Sequence, residues 1–404
     1  MAAALTVAEA LALILADAAP LPPEEASLVD ACGRVLAADL TALRTQPPAD
    51  VSAMDGYAVR AADIAAAPAS LAVVGEVAAG RVLDRTIGPG EAARIFTGGM
   101  MPPGADTVVI QENTTRQGDV VCIEKSATRG RNVRPKGLDF TAGATLLAKG
   151  RHLTVRDVGL AGAMNHPAVP VHRRPRMAVL ATGDELVLPG TAPAPGQIVT
   201  SNAFTLTAIG RREGAETLDL GIAPDRLDAT MAAVRRAREA GVDVLVTIGG
   251  ASAGDYDFVQ RAFTAEGVKL SFWKVALRPG RPLMHGRTGD MRVLGLPGNP
   301  VAAFICAVLF LAPLLRRLAG RTDVSLPVDH AVLGCALPAN DDRAEYMRAT
   351  LSATPYGTVV ANPFPKQDSS MMVPLTRADC LIIREPFAPA AEAGAPCDIL
   401  NLQF

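Results

Sequence analysis

Between residues 176 and 320, short apolar runs alternate with amphipathic stretches, a pattern that predicts strands alternating with helices. The predicted strands are Met177–Ala181, Glu216–Leu220, Val242–Ile248, Val268–Ala276 and Met291–Leu296. The predicted helices are Asn202–Arg212, Arg226–Ala240, Phe258–Ala265 and one that begins at Pro300. Such alternation is typical of a parallel sheet covered by helices on both faces, and these sheets bind ligands at the carboxyl ends of their strands.

The segments on either side of this α/β region have a different pattern. Residues 46–140 contain short β-like runs between Gly and Pro turns and no long helix, which indicates a small, mostly β domain. Residues 325–404 repeat this pattern and are predicted to form a compact β-barrel or sandwich. In the remaining segments we expect an amphipathic helix within Leu5–Leu15, capped by Thr6, and a helix over Val155–Asn165.

Composition narrows the class of protein. The 404 residues include 36 Gly and 31 Pro without a periodic G-X-Y pattern, so we expect a globular protein with many specialised turns. A net charge of −2 and an aromatic content of 4% offer no extended basic or stacking surface, so neither nucleic acid nor a membrane is expected as a partner. The longest apolar run, Val301–Leu315, is too short to span a bilayer and contains Pro313, and Leu5–Leu15 lacks the basic segment of a signal peptide. Six scattered cysteines without a CxxC pair favour a reduced, cytoplasmic compartment.

Three Gly-rich loops follow predicted strands of the α/β region, at residues 182–185, 249–255 and 297–300. In the third loop, Asn299 is a favoured N-cap and Pro300 suits the first helical turn, so the helix start offers free N–H groups to an anion. The same residues also suit a well-capped core helix with no ligand. In the second loop, adjacent Gly249 and Gly250 permit close approach of a ligand to the backbone.

Charged residues accompany these loops. Lys274, Arg278 and Arg281 cluster within residues 273–282, which favours a phosphate or oxyanion ligand, although an ordinary solvated turn has the same composition. The carboxylates Asp184, Glu185, Asp255 and Asp257 have the oxygen ligands that Mg²⁺ prefers.

A serine hydrolase is an alternative interpretation of the second loop. Gly250, Ser252 and Gly254 match G-x-S-x-G between a predicted strand and a predicted helix. Only His285 and His330 follow Ser252 in the order that a hydrolase requires, and no HGGG-type oxyanion loop is present in the sequence. Walker A, G-x-G-x-x-G and H-E-x-x-H motifs are also absent from the sequence.

Read together, eight segments resemble the MoeA family of molybdopterin molybdenumtransferases, which is similar to the E domain of gephyrin. They run in order through nearly the whole chain, at residues 47–60, 95–112, 132–140, 180–186, 200–202, 247–259, 273–282 and 295–304. The resemblance implies an elongated, L-shaped homodimer whose subunits combine a molybdopterin-binding-like three-layer α/β domain, a small β domain, an elongated linker domain and a C-terminal β-barrel. The expected domains are residues 1–45 with 141–175 (linker), 46–140 (small β), 176–324 (α/β) and 325–404 (barrel).

The resemblance also implies an activity. The family takes adenylylated molybdopterin and molybdate, cleaves the adenylyl linkage with Mg²⁺, and releases molybdenum cofactor and AMP. Its site lies between the α/β domain of one subunit and the small β domain of the partner. An upstream adenylyltransferase and acceptor molybdoenzymes are further expected partners, and the sequence does not separate molybdate from tungstate.

Carried over by position, the resemblance implies a set of site residues. The expected catalytic residues are Asp55, Asp139, Glu185, Asp257, Lys274 and Arg278. The expected Mg²⁺ ligands are Asp184, Glu185 and Asp257. The expected substrate-binding residues are Thr97, Gly98, Thr182, Gly183, Ser201, Asn202, Gly249, Gly250, Ser252, Gly254, Pro279, Gly280, Arg281, Pro297, Gly298 and Asn299, with Ser252 as an oxyanion donor and not a nucleophile.

The sequence departs from its relatives at two positions. Arg278 stands where relatives can have Lys, which keeps the charge but changes the donor geometry. Pro224 replaces the Arg of an Arg-Asp-Asp run, and Arg226 is a candidate substitute. A catalytically inactive scaffold of the same fold is a third interpretation, against which the presence of Asp55, Glu185, Asp257 and Lys274 argues.

Overall fold

The structure, a computed structural model, describes residues 4–250 and 258–402. Its α/β region is built on a six-stranded sheet with the strand order Glu216–Ala223, Arg176–Thr182, Val244–Ile248, Met291–Leu296, Pro282–Thr288 and Lys269–Lys274. The first four strands are parallel, as predicted. Pro282–Thr288, a strand that the sequence did not predict, runs antiparallel to both of its neighbours, so the expectation of an all-parallel sheet was wrong at this edge. Only Gly289 and Asp290 connect Thr288 to Met291, and a two-residue turn can join antiparallel strands only.

Helices cover both faces of this sheet, as the sequence predicted. Along the strand Arg176–Thr182, Met177 and Val179 pack into one core cluster and Ala178 and Leu180 into the other, because neighbouring side chains of a strand point to opposite faces. The helices are Asn202–Arg212 and the helical run from Pro300 on one face, and Leu227–Glu239 and Phe258–Ala265 on the other. These bounds agree with the predictions to within one residue.

The most apolar helix of the described residues is a core element. It runs from Pro300 to Leu318 as Pro300–Cys306, a π-helical turn over Ala307–Leu311, and Ala312–Leu318. Pro313 lacks an N–H donor, and the wider turn before it accommodates that missing hydrogen bond. The run of 19 residues is long enough for a membrane span and its mean hydropathy reaches 2.0, but 83% of an 18-residue window within it is buried inside the protein. Packing on both sides therefore explains their composition.

The N-terminal helix, Val7–Leu15, begins with the predicted cap. The Thr6 hydroxyl accepts a hydrogen bond from the Glu9 N–H at 3.2 Å, and the Glu9 carboxylate accepts one from the Thr6 N–H at 2.8 Å. Ala10 and Ile14 are buried in the same cluster as the long apolar helix. This helix thus packs onto the α/β region, whereas residues 26–42 and 140–171 form a separate small core. The elements around that core are the strands Pro23–Ser27, Leu40–Thr41, Thr145–Leu147 and Ala168–His172 and the helices Leu28–Ala31 and Val155–Ala163.

The small β unit contains a second six-stranded sheet. Its strand order is Thr107–Ile110, Gly56–Val59, Glu91–Ile95, Ala69–Val77, Val120–Ile123 and Thr114–Gln117. Gly56 is required by packing, because a Cβ atom there would lie 1.9 Å from the Val109 carbonyl oxygen. A few short elements remain before residue 200. They are two strand pairs, Val51–Ser52 with Val133–Arg134 and Leu186–Val187 with Ile198–Val199, and two 3-10 turns, Ala61–Ile64 and Gln111–Asn113.

The C-terminal region is a closed five-stranded barrel, which confirms one of the two predicted forms. The strands follow one another around it as Ala344–Ala353, Val359–Pro363, Val328–Leu333, Pro396–Asn401 and Cys380–Arg384, and the last pairs again with the first. The short helix Met372–Arg377 precedes the strand Cys380–Arg384. Leu277–Arg278 pairs with Ala344–Glu345 and joins the barrel to the α/β region. The four domain boundaries given above stay a prediction.

A buried ion pair holds two helices of the α/β region together. The Arg316 guanidinium donates two hydrogen bonds to the Glu213 carboxylate, at 2.6 and 2.9 Å, and both residues are about nineteen-twentieths buried. Arg321 lies 3.6 Å from the same carboxylate. Removal of one partner leaves an uncompensated buried charge, which costs more than the pair itself contributes.

We therefore expect Glu213→Ala to lower the free energy of unfolding of this region by about 3–5 kcal/mol. The measurement is urea unfolding followed by fluorescence of Trp273, the single tryptophan of the chain, which lies in the edge strand Lys269–Lys274. Glu239→Ala, at an exposed helical position, is the matched control. Equal unfolding midpoints for the two variants would contradict the expectation.

Candidate active site

The carboxyl ends of the four parallel strands meet at one edge of the central sheet. These strands end at Thr182, Ala223, Ile248 and Leu296. A pocket of about 730 Å³ opens there, a size suited to a cofactor-sized ligand. This is the edge at which the sequence predicts a ligand, because the carboxyl ends of parallel strands all lie on the same side of a sheet.

Many of the expected site residues line this pocket. They are Thr182, Gly183, Glu185, Gly249, Gly250, Arg278, Pro279, Gly280, Arg281, Pro297, Gly298 and Asn299. Six further residues of the wall were not expected: Asp225, Leu277, Pro282, Ala302, Arg343 and Ser369. Arg343 and Ser369 come from the C-terminal barrel.

Glycine is required at the end of the strand Val244–Ile248. Gly249 and Gly250 have φ values of +89° and +60°, a region that other residues rarely adopt. A Cβ atom at Gly250 would lie 2.3 Å from Val259, and one at Gly249 would lie 2.9 Å from the Thr182 carbonyl oxygen. The chain thus turns sharply next to the strand Arg176–Thr182 and leaves backbone groups accessible from the pocket. Ser252, Gly254, Asp255 and Asp257, the other expected residues of this loop, lie outside the described residues.

The start of the helix at Pro300 is covered in part by the barrel. Asn299 is at the N-cap position as predicted, but its side chain makes no capping hydrogen bond. Its amide instead donates to the Ser369 hydroxyl at 2.9 Å, and the Val301 N–H donates to the Ser369 carbonyl at 3.0 Å. The N-cap position of Asn299 is confirmed, but one of the N–H groups expected to be free for an anion is bonded instead to a residue seventy positions from Asn299.

One wall of the pocket is acidic. Glu185 and Asp225 line it, and the Asp225 N–H donates to the adjacent Asp184 carboxylate at 3.1 Å. Burial, then the negative charges of Asp184 and Glu185, raise the pKa of Asp225 above its ordinary value. Within residues 4–250 and 258–402, no group of three or more His, Cys, Asp or Glu side chains is arranged to hold a metal ion. Asp225 lies two residues after the end of the strand Glu216–Ala223, and this proximity to a strand end is the signal that could have identified it.

The pocket also has a basic part of its wall, which includes Arg278, Arg281 and Arg343. Arg278 lies 2.8 Å from Asp341 and donates to the Asn340 side chain at 3.2 Å. Lys274 does not line this pocket. Arg226, the candidate substitute for the arginine missing at Pro224, donates two hydrogen bonds to Asp228 and is likewise absent from the wall.

The remaining expected residues lie elsewhere in the described chain. Thr97 donates to one Asp55 carboxylate oxygen from its N–H at 2.7 Å and from its hydroxyl at 2.8 Å, and these bonds lower the pKa of Asp55. Asp55, Thr97, Gly98 and the exposed Asp139 all lie in the small β part of the chain, and none of the four lines the pocket of its own chain. Asn202 does not line the pocket, but its amide donates to the carbonyl of Gly298, a residue of the wall, at 2.6 Å. Ser201 and Asp184 are exposed and do not line it.

Comparison with known proteins agrees with this architecture. Three family models match the chain: the MoeA N-terminal region (domain I and II) at residues 5–164, a probable molybdopterin binding domain at 178–317, and the MoeA C-terminal region (domain IV) at 330–402. The molybdopterin molybdenumtransferase of Nostoc sp. is 40% identical over 307 residues, which cover 74% of this chain and 70% of the relative. The enzyme of the same name from Bacillus subtilis is 34% identical over 389 residues, 94% of this chain and 90% of the relative.

Solved structures extend the agreement to the whole fold. Two structures of the molybdopterin biosynthesis MoeA protein from Pyrococcus horikoshii superpose with TM-scores of 0.85 and 0.81, at 29% and 27% sequence identity. They cover 100% and 99% of this chain and 100% of each matched chain. With its N-terminal region, its molybdopterin-binding-like α/β domain and its C-terminal barrel all matched in order, the chain belongs to the MoeA family of molybdopterin molybdenumtransferases.

Proposed function

We propose that the pocket at the sheet edge is where this transferase inserts molybdenum during molybdenum cofactor biosynthesis, from molybdate and adenylylated molybdopterin, with release of AMP. The observation that carries the proposal is the pocket itself, which arginines and carboxylates line together at the carboxyl ends of parallel strands. Both substrates are anionic, and one contains a phosphoanhydride. Such ligands need cationic donors, free backbone N–H groups and a place for a divalent cation.

In this proposal the basic wall binds the oxyanions. Arg278, Arg281 and Arg343 each carry a planar guanidinium that can donate two parallel hydrogen bonds to molybdate or to a phosphate group. Gly249 and Gly250 let the backbone approach the pterin-bearing substrate without a side chain in between. The walls orient molybdate next to the bound molybdopterin, and this positioning is the main contribution that a rigid site can make.

The acidic wall fits Mg²⁺ in the manner usual for phosphate substrates. Mg²⁺ is commonly held by one or two carboxylates together with substrate phosphate oxygens and water. Glu185 and Asp225 would supply those carboxylates, with Asp184 beside them and Asp257 as a further ligand. Burial, and after it the negative charges of Asp184 and Glu185, raise the pKa of Asp225, and a bound divalent cation would offset both effects. When bound, the ion neutralises charge that develops on the phosphoanhydride as the adenylyl group leaves.

We further propose that the working unit is a homodimer in which the small β unit of a second copy completes each site. Asp55, Thr97, Gly98 and Asp139 form polar turns that do not reach the pocket of their own chain. The lowered pKa of Asp55 keeps its carboxylate ionised and ready to accept a donor or a cation. The same proposal includes the four-domain division, a cytoplasmic location, and two kinds of partner, an upstream adenylyltransferase and acceptor molybdoenzymes. The free state of all six cysteines agrees with a cytoplasmic location.

The serine hydrolase alternative receives no support from the matched families or relatives. The two histidines that follow Ser252 are also poorly placed. His285 is buried in the strand Pro282–Thr288, where desolvation lowers its pKa to about 4, and His330 pairs with Asp398 on the barrel. Neither lines the pocket, so no described histidine downstream of Ser252 is available there as a general base.

The direct test supplies the folded protein with adenylylated molybdopterin, Mg²⁺ and molybdate. We expect AMP release together with reconstitution of a cofactor-free molybdoenzyme. Absence of AMP release would defeat the proposed function and favour an inactive scaffold. Labelling of Ser252 by a fluorophosphonate would favour the hydrolase instead.

The basic wall can be tested with Arg281→Ala. Loss of a hydrogen bond to a charged group costs about 1.5–3 kcal/mol, so the molybdate concentration for half-maximal AMP release is expected to rise about ten- to a hundredfold. Arg261→Ala, at an exposed position of the helix Phe258–Ala265, is the matched control and should behave as the wild type. A similar response of both variants would remove Arg281 from the site.

The acidic wall can be tested with Asp225→Asn. The folded-state pKa of Asp225 is raised, so its ionised form disfavours the folded state at neutral pH, and this penalty disappears as the pH falls toward the unperturbed value of 3.8. We expect Asp225→Asn to raise the melting temperature near neutral pH, by an amount that shrinks on acidification, and to lower AMP release. Calorimetry over a pH series measures the first effect.

Asp329→Asn is the control for that comparison, because Asp329 lies exposed on a barrel strand and its charge faces solvent. Added Mg²⁺ should raise the melting temperature of the wild type more than that of Asp225→Asn. A melting temperature for Asp225→Asn at or below that of the wild type at neutral pH would contradict the predicted destabilisation by the ionised, partly buried Asp225.

A further inference from the structure

We infer that Asp341 is a positioning residue for oxyanion binding, because its carboxylate holds two pocket arginines, Arg278 and Arg343, next to each other across the junction between the α/β region and the barrel. The inference rests on the proposed function of the pocket and adds to it. Asp341 was not among the residues expected from the sequence, and it does not itself line the pocket.

A single carboxylate oxygen receives both arginines. Asp341 Oδ2 lies 2.8 Å from Nη2 of Arg278 and 2.7 Å from Nη2 of Arg343. The other oxygen, Oδ1, accepts the backbone N–H of Arg343 at 3.0 Å. These contacts, led by the Arg343 side chain, lower the pKa of Asp341 to about 2, so the carboxylate is ionised at neutral pH.

Two like charges that approach the same small region repel each other. Both guanidinium groups line the pocket, and both have a nitrogen within hydrogen-bond distance of the same oxygen. Without an anion between them, the arginines would separate and lose the geometry that lets them bind one oxyanion together. Because Asp341 is absent from the pocket wall, it can hold the arginines without occupying the place of the ligand.

The backbone fixes the position of Asp341. The Asn340 amide donates to the carbonyls of Arg343 at 2.8 Å, Arg384 at 3.1 Å and Glu385 at 2.8 Å, which anchors the turn on the end of the barrel. The oxygen of the same side chain accepts from Arg278 at 3.2 Å. Asp341 therefore reaches Arg278 from a rigid element.

The backbone of Arg278 is held at the same junction. Leu277–Arg278 pairs in parallel with Ala344–Glu345, and the Ala344 N–H donates to the Ala276 carbonyl at 2.9 Å. The buried Nε of Arg278 has no hydrogen-bond partner, and its nearest carboxylate, Glu345, lies 3.6 Å away. Of the polar side chains around this guanidinium in the described part of the chain, Asp341 lies nearest, at 2.8 Å, ahead of Asn340 at 3.2 Å and Glu345 at 3.6 Å.

The experiment measures the affinity for molybdate, by isothermal titration calorimetry of the full chain, in the wild type, Asp341→Ala and Asp342→Ala. Asp342 is the matched control, since it is the next residue, 76% exposed, and lies 3.9 Å from Arg343 without contacting Arg278. Both variants remove one negative charge at nearly the same place, so charge loss alone would strengthen molybdate binding in both. We expect Asp341→Ala to weaken binding about tenfold and Asp342→Ala to stay within about twofold of the wild type.

A double-mutant cycle separates a positioning role from a general loss of structure. In an Arg278→Ala background, the effect of Asp341→Ala should shrink, because one of the two arginines that it positions is gone. Equal or tighter molybdate binding by Asp341→Ala, or an effect of full size in the Arg278→Ala background, would overturn the inference. Absence of molybdate binding by the folded wild type would overturn it as well.

The two proposals fail in different ways. A wild type that binds molybdate but releases no AMP defeats the proposed function and leaves the role of Asp341 in anion binding intact. A wild type that releases AMP, together with an Asp341→Ala variant that binds molybdate as the wild type does, defeats the inference alone. Unchanged melting temperatures of the variants exclude unfolding as the cause of weaker binding.

Discussion

The parallel pairing of four central strands is the constraint on which the site depends. Parallel strands deliver their carboxyl ends to one edge of a sheet, so Thr182, Ala223, Ile248 and Leu296 end side by side although they are far apart in sequence. The loops that follow them must turn at that edge, where Gly249 and Gly250 adopt positive φ values. The buried faces of the same strands form the two largest core clusters of the described residues, so the stability of the core and the geometry of the pocket have a common origin.

The C-terminal barrel contributes side chains to the pocket at the sheet edge. Ser369 covers groups at the start of the helix Pro300–Leu318, and Arg343 adds a cation to the wall. Arg348 explains how the loop that carries Ser369 keeps its shape. Its buried guanidinium donates to the carbonyls of Lys366, Asp368 and Met371, so three backbone groups of that loop are bonded to one side chain. Movement of the barrel relative to the α/β region would therefore change the pocket directly.

The opposed charges of the two walls give the pocket a polarity that suits an anionic substrate with a bound cation. Burial, together with the negative charges of Asp184 and Glu185, raises the pKa of Asp225, and the contact with Arg343 lowers that of Asp341. The formal net charge of −2 conceals this separation, because charges of both signs cancel in the sum. Arg278 stands where relatives can have Lys, and its guanidinium contacts both Asp341 and Asn340 through one nitrogen. Its other N–H groups remain as further donors.

The sequence by itself determined the elements and the residue types of the site, because the periodicity of apolar positions, the capping box at Thr6 and the Gly-rich loops are local properties. The helices Asn202–Arg212 and Phe258–Ala265 and the strand Met291–Leu296 agree with their predicted bounds. Only the tertiary structure decided that Asp225, Arg343 and Ser369 line the pocket and that Lys274 does not. It also decided that Asn299 bonds to Ser369 and that Asp341 joins two arginines. These contacts depend on how the barrel packs against the sheet edge, and no local pattern encodes a contact between residues seventy positions apart.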